Sequence, residues 1–143
     1  VPILMYDPKR AAVALVHAGW QGTVKKVIAH TVDAMKKEYG TDPRDLIAGI
    51  GPSICANHYQ VGHDVISKIN QAFGSDANAL LAGDGEKRRL DLWLANRLLL
   101  EQSGVQSIEI AGICTACHLQ DWYSHRGEHG KTGRFGVLIS LEK

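Results

Sequence analysis

His17 stands where the apolar run Ala11 to Val16 ends and the turn Ala18-Gly19-Trp20-Gln21-Gly22 begins. A neutral imidazole can hold a metal or move a proton. A strand end that meets the opening of a helix is a common ligand site in α/β proteins, and free amides there favour an anion. Gly19 and Gly22 leave room for a ligand against the backbone, and Trp20 offers a flat wall. The bland alternative is a hydrogen-bonded structural histidine under a packing tryptophan.

Cys114-Thr115-Ala116-Cys117-His118 spells C-x-x-C-H, the pattern of covalent haem attachment. That chemistry needs an exported, oxidised setting and a helix, whereas this motif follows a predicted strand. A thiol redox pair is a second option, although such pairs open a helix. A third is zinc held by Cys114, Cys117, His125 and His129, with a gap shorter than the roughly 12 residues of a zinc finger. A buried strand-end thiol beside a loop cysteine is the plain alternative. Cys55-x2-His58 could be half of a metal site or a Cys–His pair, and it lacks a third partner nearby.

His125, Arg126, His129, Lys131 and Arg134 concentrate cationic groups that could hold a phosphate or polarise a leaving group. A solvated basic turn is equally consistent. Gly130-Lys131-Thr132 is not the end of a nucleotide-triphosphate loop. His125 stands where that loop needs its first glycine, and no strand leads through it into a helix.

These residues must be positioned by strands and helices in alternation. Pro2 to Tyr6 and Ala11 to Val16 read as a hairpin over the turn Asp7-Pro8-Lys9-Arg10. Thr23 to Tyr39 reads as one helix, with Val24, Val27, Ile28, Thr31, Val32 and Met35 on a stripe. Leu46 to Ile50 and Val105 to Cys114 read as strands. Gly62 to Phe73 and Asp91 to Ser103 read as helices, and Asn78 to Leu81 as a short helical turn. Glu86 to Arg89 reads as a solvated loop, Trp122 to His125 as a short strand, Gly127 to Gly133 as a loop, and Arg134 to Leu141 as a closing strand. The fold class is α/β (α+β), a mixed β-sheet layered with helices.

The 143 residues suit one domain with its own core, residues 1–143. A net charge of +1 gives no case for wrapping nucleic acid or lying on an anionic membrane. No apolar run approaches the ~20 residues of a spanning helix, and no leader pattern opens the chain. An odd count of three cysteines fits a reducing, cytoplasmic setting better than a disulfide framework.

Four blocks in this order resemble the YfiH-like family, also called laccase-domain or polyphenol oxidase proteins. They are His17-Ala18-Gly19-Trp20-x-Gly22; Gly51-Pro52-Ser53-Ile54 with Tyr59-Gln60-Val61-Gly62-x-Asp64-Val65; Asp91-Leu92 through Asn96 and Leu100; and Cys114-Thr115, Tyr123-Ser124-x-Arg126 and Thr132-Gly133-Arg134. The resemblance covers essentially the whole chain. It implies a layered fold related to that of a cytotoxic-factor deamidase. It implies zinc-dependent phosphorolysis of adenosine, inosine and methylthioadenosine, plus adenosine deamination; members are also named copper polyphenol oxidases and peptidoglycan editing factors.

By the same resemblance His17 is one of three metal ligands. The other two, a His and a Cys, fall before Val1, so the resemblance implies an N-terminally truncated domain. Zinc is the expected metal and copper the alternative, although copper clusters want closely spaced histidines and none of the seven here forms His-x-His. Arg126, Lys131 and Arg134 would face developing negative charge, His125 would shuttle a proton, and Trp20 or Tyr123 would stack on the base. The expected partners are a purine nucleoside and phosphate, with no nucleic acid and no membrane. A non-enzymatic binding domain is the third reading. The chain departs from the family pattern at Gln21, Gln60 and His125, where Arg or Lys, Glu and Tyr are usual.

Overall fold

A computed structural model describes residues 1–85 and 88–142. Four strands form a mixed sheet: β1 (Pro2–Asp7), β2 (Ala12–His17), β3 (Ile47–Ile50) and β6 (Ser107–Ile110), in the order β2-β1-β3-β6. β1 lies antiparallel to β2 and β3, and β3 lies parallel to β6. The expected hairpin and mixed sheet are therefore present. β4 (Leu81–Ala82) and β5 (Arg89–Leu90) form a separate two-stranded ribbon.

Alternation in β1 turns Ile3 and Met5 into the core, where neither side chain has any exposure. Helices cover that face. α2 (Val27–Tyr39) brings Ile28, Val32 and Met35 against β2, and α5 (Leu92–Gln102) brings Ala95, Leu99 and Leu100 against β3. α3 (His63–Phe73) adds Val65, Ile69 and Phe73, and the short α4 (Ala77–Leu80) follows it. Asp91 caps α5 by accepting from the Leu94 amide at 2.9 Å, and Gly40 closes α2 at a φ of 67°. Among the described residues, no helix is long and apolar enough to cross a membrane.

The structure departs from the expected elements in five places. The helix expected over Thr23 to Tyr39 is two helices, α1 (Trp20–Val24) and α2, separated by Lys25 and Lys26, with Lys26 left-handed at a φ of 55°. The break lets α1 pack against α3 and α5 while α2 packs against β2. Its anchor is Thr23, fully buried, whose hydroxyl reaches the Gly19 carbonyl at 3.0 Å and Asn96 Oδ1 at 3.3 Å. The strand expected over Val105 to Cys114 pairs only from Ser107 to Ile110, with an isolated bridge at Cys114. Residues 134–142 and Trp122 to His125 form no strand. The alternating apolar pattern of Arg134 to Leu141 suits a ladder, but among the described residues no backbone pairs with either segment, and a strand without a partner does not form. Arg89 belongs to β5 rather than to a solvated loop, while Glu86 and Lys87 lie outside the described residues.

The β1–β2 turn is held by Asp7. Its Oδ1 accepts from the amides of Lys9 at 2.9 Å and Arg10 at 3.0 Å. Burial opposes its charge, but the Thr41 hydroxyl and the Arg10 and Lys9 amides outweigh burial and hold the carboxyl below its usual range. A depressed carboxyl stabilises the fold above its unfolded pKa and loses that contribution as pH falls through the folded value. Asp7→Ala is therefore expected to cost about 1–3 kcal/mol in urea unfolding at pH 7. The gap from the parent should narrow as the solution is acidified below about pH 4. A gap independent of pH would show that the charge plays no part.

Candidate functional site

β3 and β6 run parallel, so the loops that follow them leave the sheet at the same end. Their pairing continues beyond the strands. The Ser53 amide donates to the Ile113 carbonyl at 3.1 Å, and the Thr115 amide donates to the Ser53 carbonyl at 3.2 Å. Ser53 is braced from α5, where Trp93 Nε1 donates to its hydroxyl at 2.7 Å.

These loops wall a cavity of about 560 Å³. His17 enters it from the end of β2, and His125, Arg126 and Arg134 enter from the C-terminal loop. Tyr59, Tyr123 and Phe135 supply aromatic surface, and Ser53, Thr115, Ser124 and Thr132 supply hydroxyls. Five of the sequence-predicted residues are thus brought together: His17, Tyr123, His125, Arg126 and Arg134. Trp20 and Lys131 are not among the lining residues. The Trp20 ring packs against the core and carries Lys68 Nζ 5.1 Å from its centroid. Lys131 is in the turn above, where its amide donates to the Glu128 carbonyl at 3.1 Å.

The C-terminal loop owes its shape to Glu128. Its Oε2 accepts from the Ser124 amide at 2.8 Å and from the Thr132 hydroxyl. These two bonds, the hydroxyl's first, hold the Glu128 carboxyl below its usual range. Gly133 lies against the Tyr123 ring, and a Cβ there would fall 2.8 Å from Cζ, so a side chain at this position would displace the ring. Arg126 Nη1 donates to the Gln60 carbonyl at 2.8 Å, and its guanidinium lies 5.3 Å from the Tyr59 ring centroid. Burial raises the Tyr59 phenol, with Arg126 pulling the other way, so Tyr59 is a neutral donor near pH 7. Burial holds His17 below the ordinary imidazole value.

A second cluster is carried by the same two loops, those that follow β3 and β6. Cys55, His58, Cys114 and Cys117 place their ligand atoms within 4.8 Å of one another. His58 Nδ1 is 3.4 Å from Cys55 Sγ, 3.8 Å from Cys114 Sγ and 3.5 Å from Cys117 Sγ. All three thiols are free of disulfides. Burial opposes ionisation of Cys114, but the amides of Cys55, Cys117 and Ala116 bring its pKa down to about 6. Cys117 is pushed up to about 11, first by its hydrogen bond to Cys114. This donor set fits a metal ion.

The zinc reading of Cys114, Cys117, His125 and His129 is corrected by this arrangement. His125 faces the cavity, and the Cys114-x2-Cys117 pair meets Cys55-x2-His58 instead. Neither a covalent haem helix nor a helix-opening redox pair is formed, because Cys114 to Cys117 is a turn. Sequence reading did not foresee that the two half-sites join, nor that Ser53 and Tyr59 face the cavity. The shared x2 spacing was the available signal.

A model of the family described as multi-copper polyphenol oxidoreductase laccase matches residues 1–142. The chain belongs to that family. This laccase-family chain is 38% identical over 144 residues to a purine nucleoside phosphorylase of Bacteroides thetaiotaomicron, covering 97% of this chain and 53% of that protein. Against the purine nucleoside phosphorylase YlmD of Bacillus subtilis, identity is 37% over 145 residues, covering 100% and 52%. The crystal structure of Bacillus licheniformis YfiH superposes with a TM-score of 0.86 at 36% identity, over 92% of this chain and 51% of that one. The chain spans about half the length of the curated relatives it matches. The family name points to copper oxidation, and the relatives' names point to phosphorolysis.

The Arg126–Tyr59 contact is testable by itself. In a double-mutant cycle with Arg126→Ala and Tyr59→Leu, urea unfolding should give a coupling of about 0.5–1 kcal/mol. Strict additivity would mean that the guanidinium is not held on the ring.

Proposed function

We propose that the cavity takes a purine nucleoside together with inorganic phosphate and supports phosphorolysis of the glycosidic bond. The observation that carries this reading is the lining itself. Two arginines, two histidines and three aromatic rings face one chamber of about 560 Å³, within the ~300–1,000 Å³ of small-molecule sites. In the proposed reaction a phosphate oxygen bonds to the ribose anomeric carbon as the bond from that carbon to the purine nitrogen breaks. The purine leaves with the electron pair and takes up a proton. Arg126 and Arg134 hold the phosphate and face the developing charge. His125 is positioned to move the proton. Tyr123 supplies the stacking surface, since Trp20 lies off the chamber, and Lys131 adds positive charge from the turn above.

Adenosine, inosine and methylthioadenosine are the proposed nucleosides, in a cytoplasmic setting that suits free thiols. His17 is the proposed metal donor at the cavity, with zinc preferred over copper. Among the described residues, no cluster of metal-capable side chains includes His17. One imidazole does not make a centre, so no step is routed through a metal here. Zinc dependence and adenosine deamination need donors beyond those this chain brings to the cavity. Copper oxidation of phenols ranks second because, among the described residues, His17 and His125 are the only imidazoles in the lining.

The test uses the whole protein that carries this chain, incubated with inosine and inorganic phosphate. Hypoxanthine and ribose-1-phosphate should form only when phosphate is present. Arg134→Ala should lower kcat/KM about 10²-fold with its melting temperature retained. Phosphate-independent turnover, or oxygen uptake on a phenol with no nucleoside cleavage, would overturn the proposal. Neither turnover nor metal binding would favour a binding domain.

A further inference from the structure

We propose that Cys55, His58, Cys114 and Cys117 bind one zinc ion in a closed, structural site, distinct from His17 and carried by the same two loops as the cavity wall. The inference is independent of the phosphorolysis reading. It rests on four features of the cluster.

The first is distance. A tetrahedral zinc with Zn–S near 2.3 Å and Zn–N near 2.0–2.1 Å sets each sulfur roughly 3.6 Å from the nitrogen. The three sulfurs lie 3.4, 3.8 and 3.5 Å from His58 Nδ1. All three nitrogen–sulfur separations are thus close to that figure, and all four ligand atoms fall within 4.8 Å of one another.

The second is how the corners are carried. Cys55 and His58 flank a single 3-10 turn, with the His58 amide donating to the Cys55 carbonyl at 3.1 Å. Cys114 and Cys117 flank another turn, closed by the Cys117 amide on the Cys114 carbonyl at 3.2 Å. Each x2 spacing thus presents two donors from one turn. The Ser53–Cys114 bridge sets the turns side by side.

The third is support of the sulfur. The Cys55 amide donates to Cys114 Sγ at 3.2 Å across a separation of 59 residues. Backbone donors aimed at a thiolate orient a metal ligand as outer partners usually do.

The fourth is the donor chemistry. Three thiolates and an imidazole select a soft or borderline ion over magnesium or calcium. Four protein donors leave no open position for water, which marks a structural site rather than a catalytic one. The protons lost by the thiols pass to the solvent on binding.

The position gives the ion a task. His58 is followed directly by Tyr59, Cys114 by Thr115, and Cys55 is preceded by Ile54. Tyr59, Thr115 and Ile54 all line the cavity. A zinc at the cluster would pin the two loops that carry these residues, and through Tyr59 it would fix the surface on which Arg126 lies.

The test is metal analysis of the whole protein, purified without chelator, in a His17→Ala background that removes the other candidate donor. About one zinc per chain should remain, and Cys117→Ser in that background should lose it. Replacement by cobalt should give thiolate-to-cobalt charge-transfer bands and the intense visible bands of a tetrahedral ion. Should Cys117→Ser fail to fold, a mercurial titration of the unmutated thiols should release zinc in step with thiol modification. Chelation should also lower the melting temperature by at least about 5 °C, with recovery on adding zinc. Three freely titrating thiols and no metal in His17→Ala would overturn the proposal. So would a disulfide among these cysteines, or iron or copper in place of zinc.

Discussion

The pairing of β3 with β6 is the constraint on which the site depends. Parallel neighbours leave a sheet at the same end, so two segments distant in sequence emerge side by side. Backbone bonds at Ser53 and Thr115 carry that pairing past the last strand residues. They set Ser53, Ile54 and Tyr59 opposite Thr115 and the loop that leads to Arg126. They also set Cys55 and His58 opposite Cys114 and Cys117. Cavity wall and thiol cluster are two consequences of one register.

Within the cavity the cations are held by neutral partners. Arg126 is bonded to the Gln60 carbonyl and lies over the Tyr59 ring, and Arg134 Nη1 donates to the Gly133 carbonyl at 2.8 Å. Neither arginine takes part in an ion pair found among the described residues. Among the described residues no carboxylate neutralises their charge, which suits an anionic ligand. Glu128, the nearest acid in that loop by sequence, is committed to the Ser124 amide and the Thr132 hydroxyl and shapes the turn.

Much of the scaffold was legible from side-chain periodicity. The hairpin, α3 and α5 follow from apolar spacing, because each buries one face against the same core. The break at Lys25 and Lys26 was not legible. The apolar stripe runs through it, and the break shows only in the left-handed backbone of Lys26 and in the tertiary contact of Thr23 with Asn96. The segment from Arg134 to Leu141 alternates like a strand, yet strand formation depends on a partner backbone that a local pattern cannot reveal. At the site, His17, Arg126 and Arg134 could be singled out by type and position. The join between Cys55-x2-His58 and Cys114-x2-Cys117 could not, since it depends on which strands are neighbours. Each half-site alone is a weak signal, and His125 and His129, the histidines read with Cys114 and Cys117, are not their partners.

Hydrogen exchange on the whole protein, with and without a zinc chelator, tests most directly that one register holds both the cluster and the cavity wall. The account predicts that the Ser53, Cys55 and Thr115 amides lose protection together when the metal is removed. The β1–β2 amides should keep theirs, because that hairpin stands at the other side of the sheet. Unchanged exchange at Ser53 and Thr115, or equal loss throughout the sheet, would contradict it.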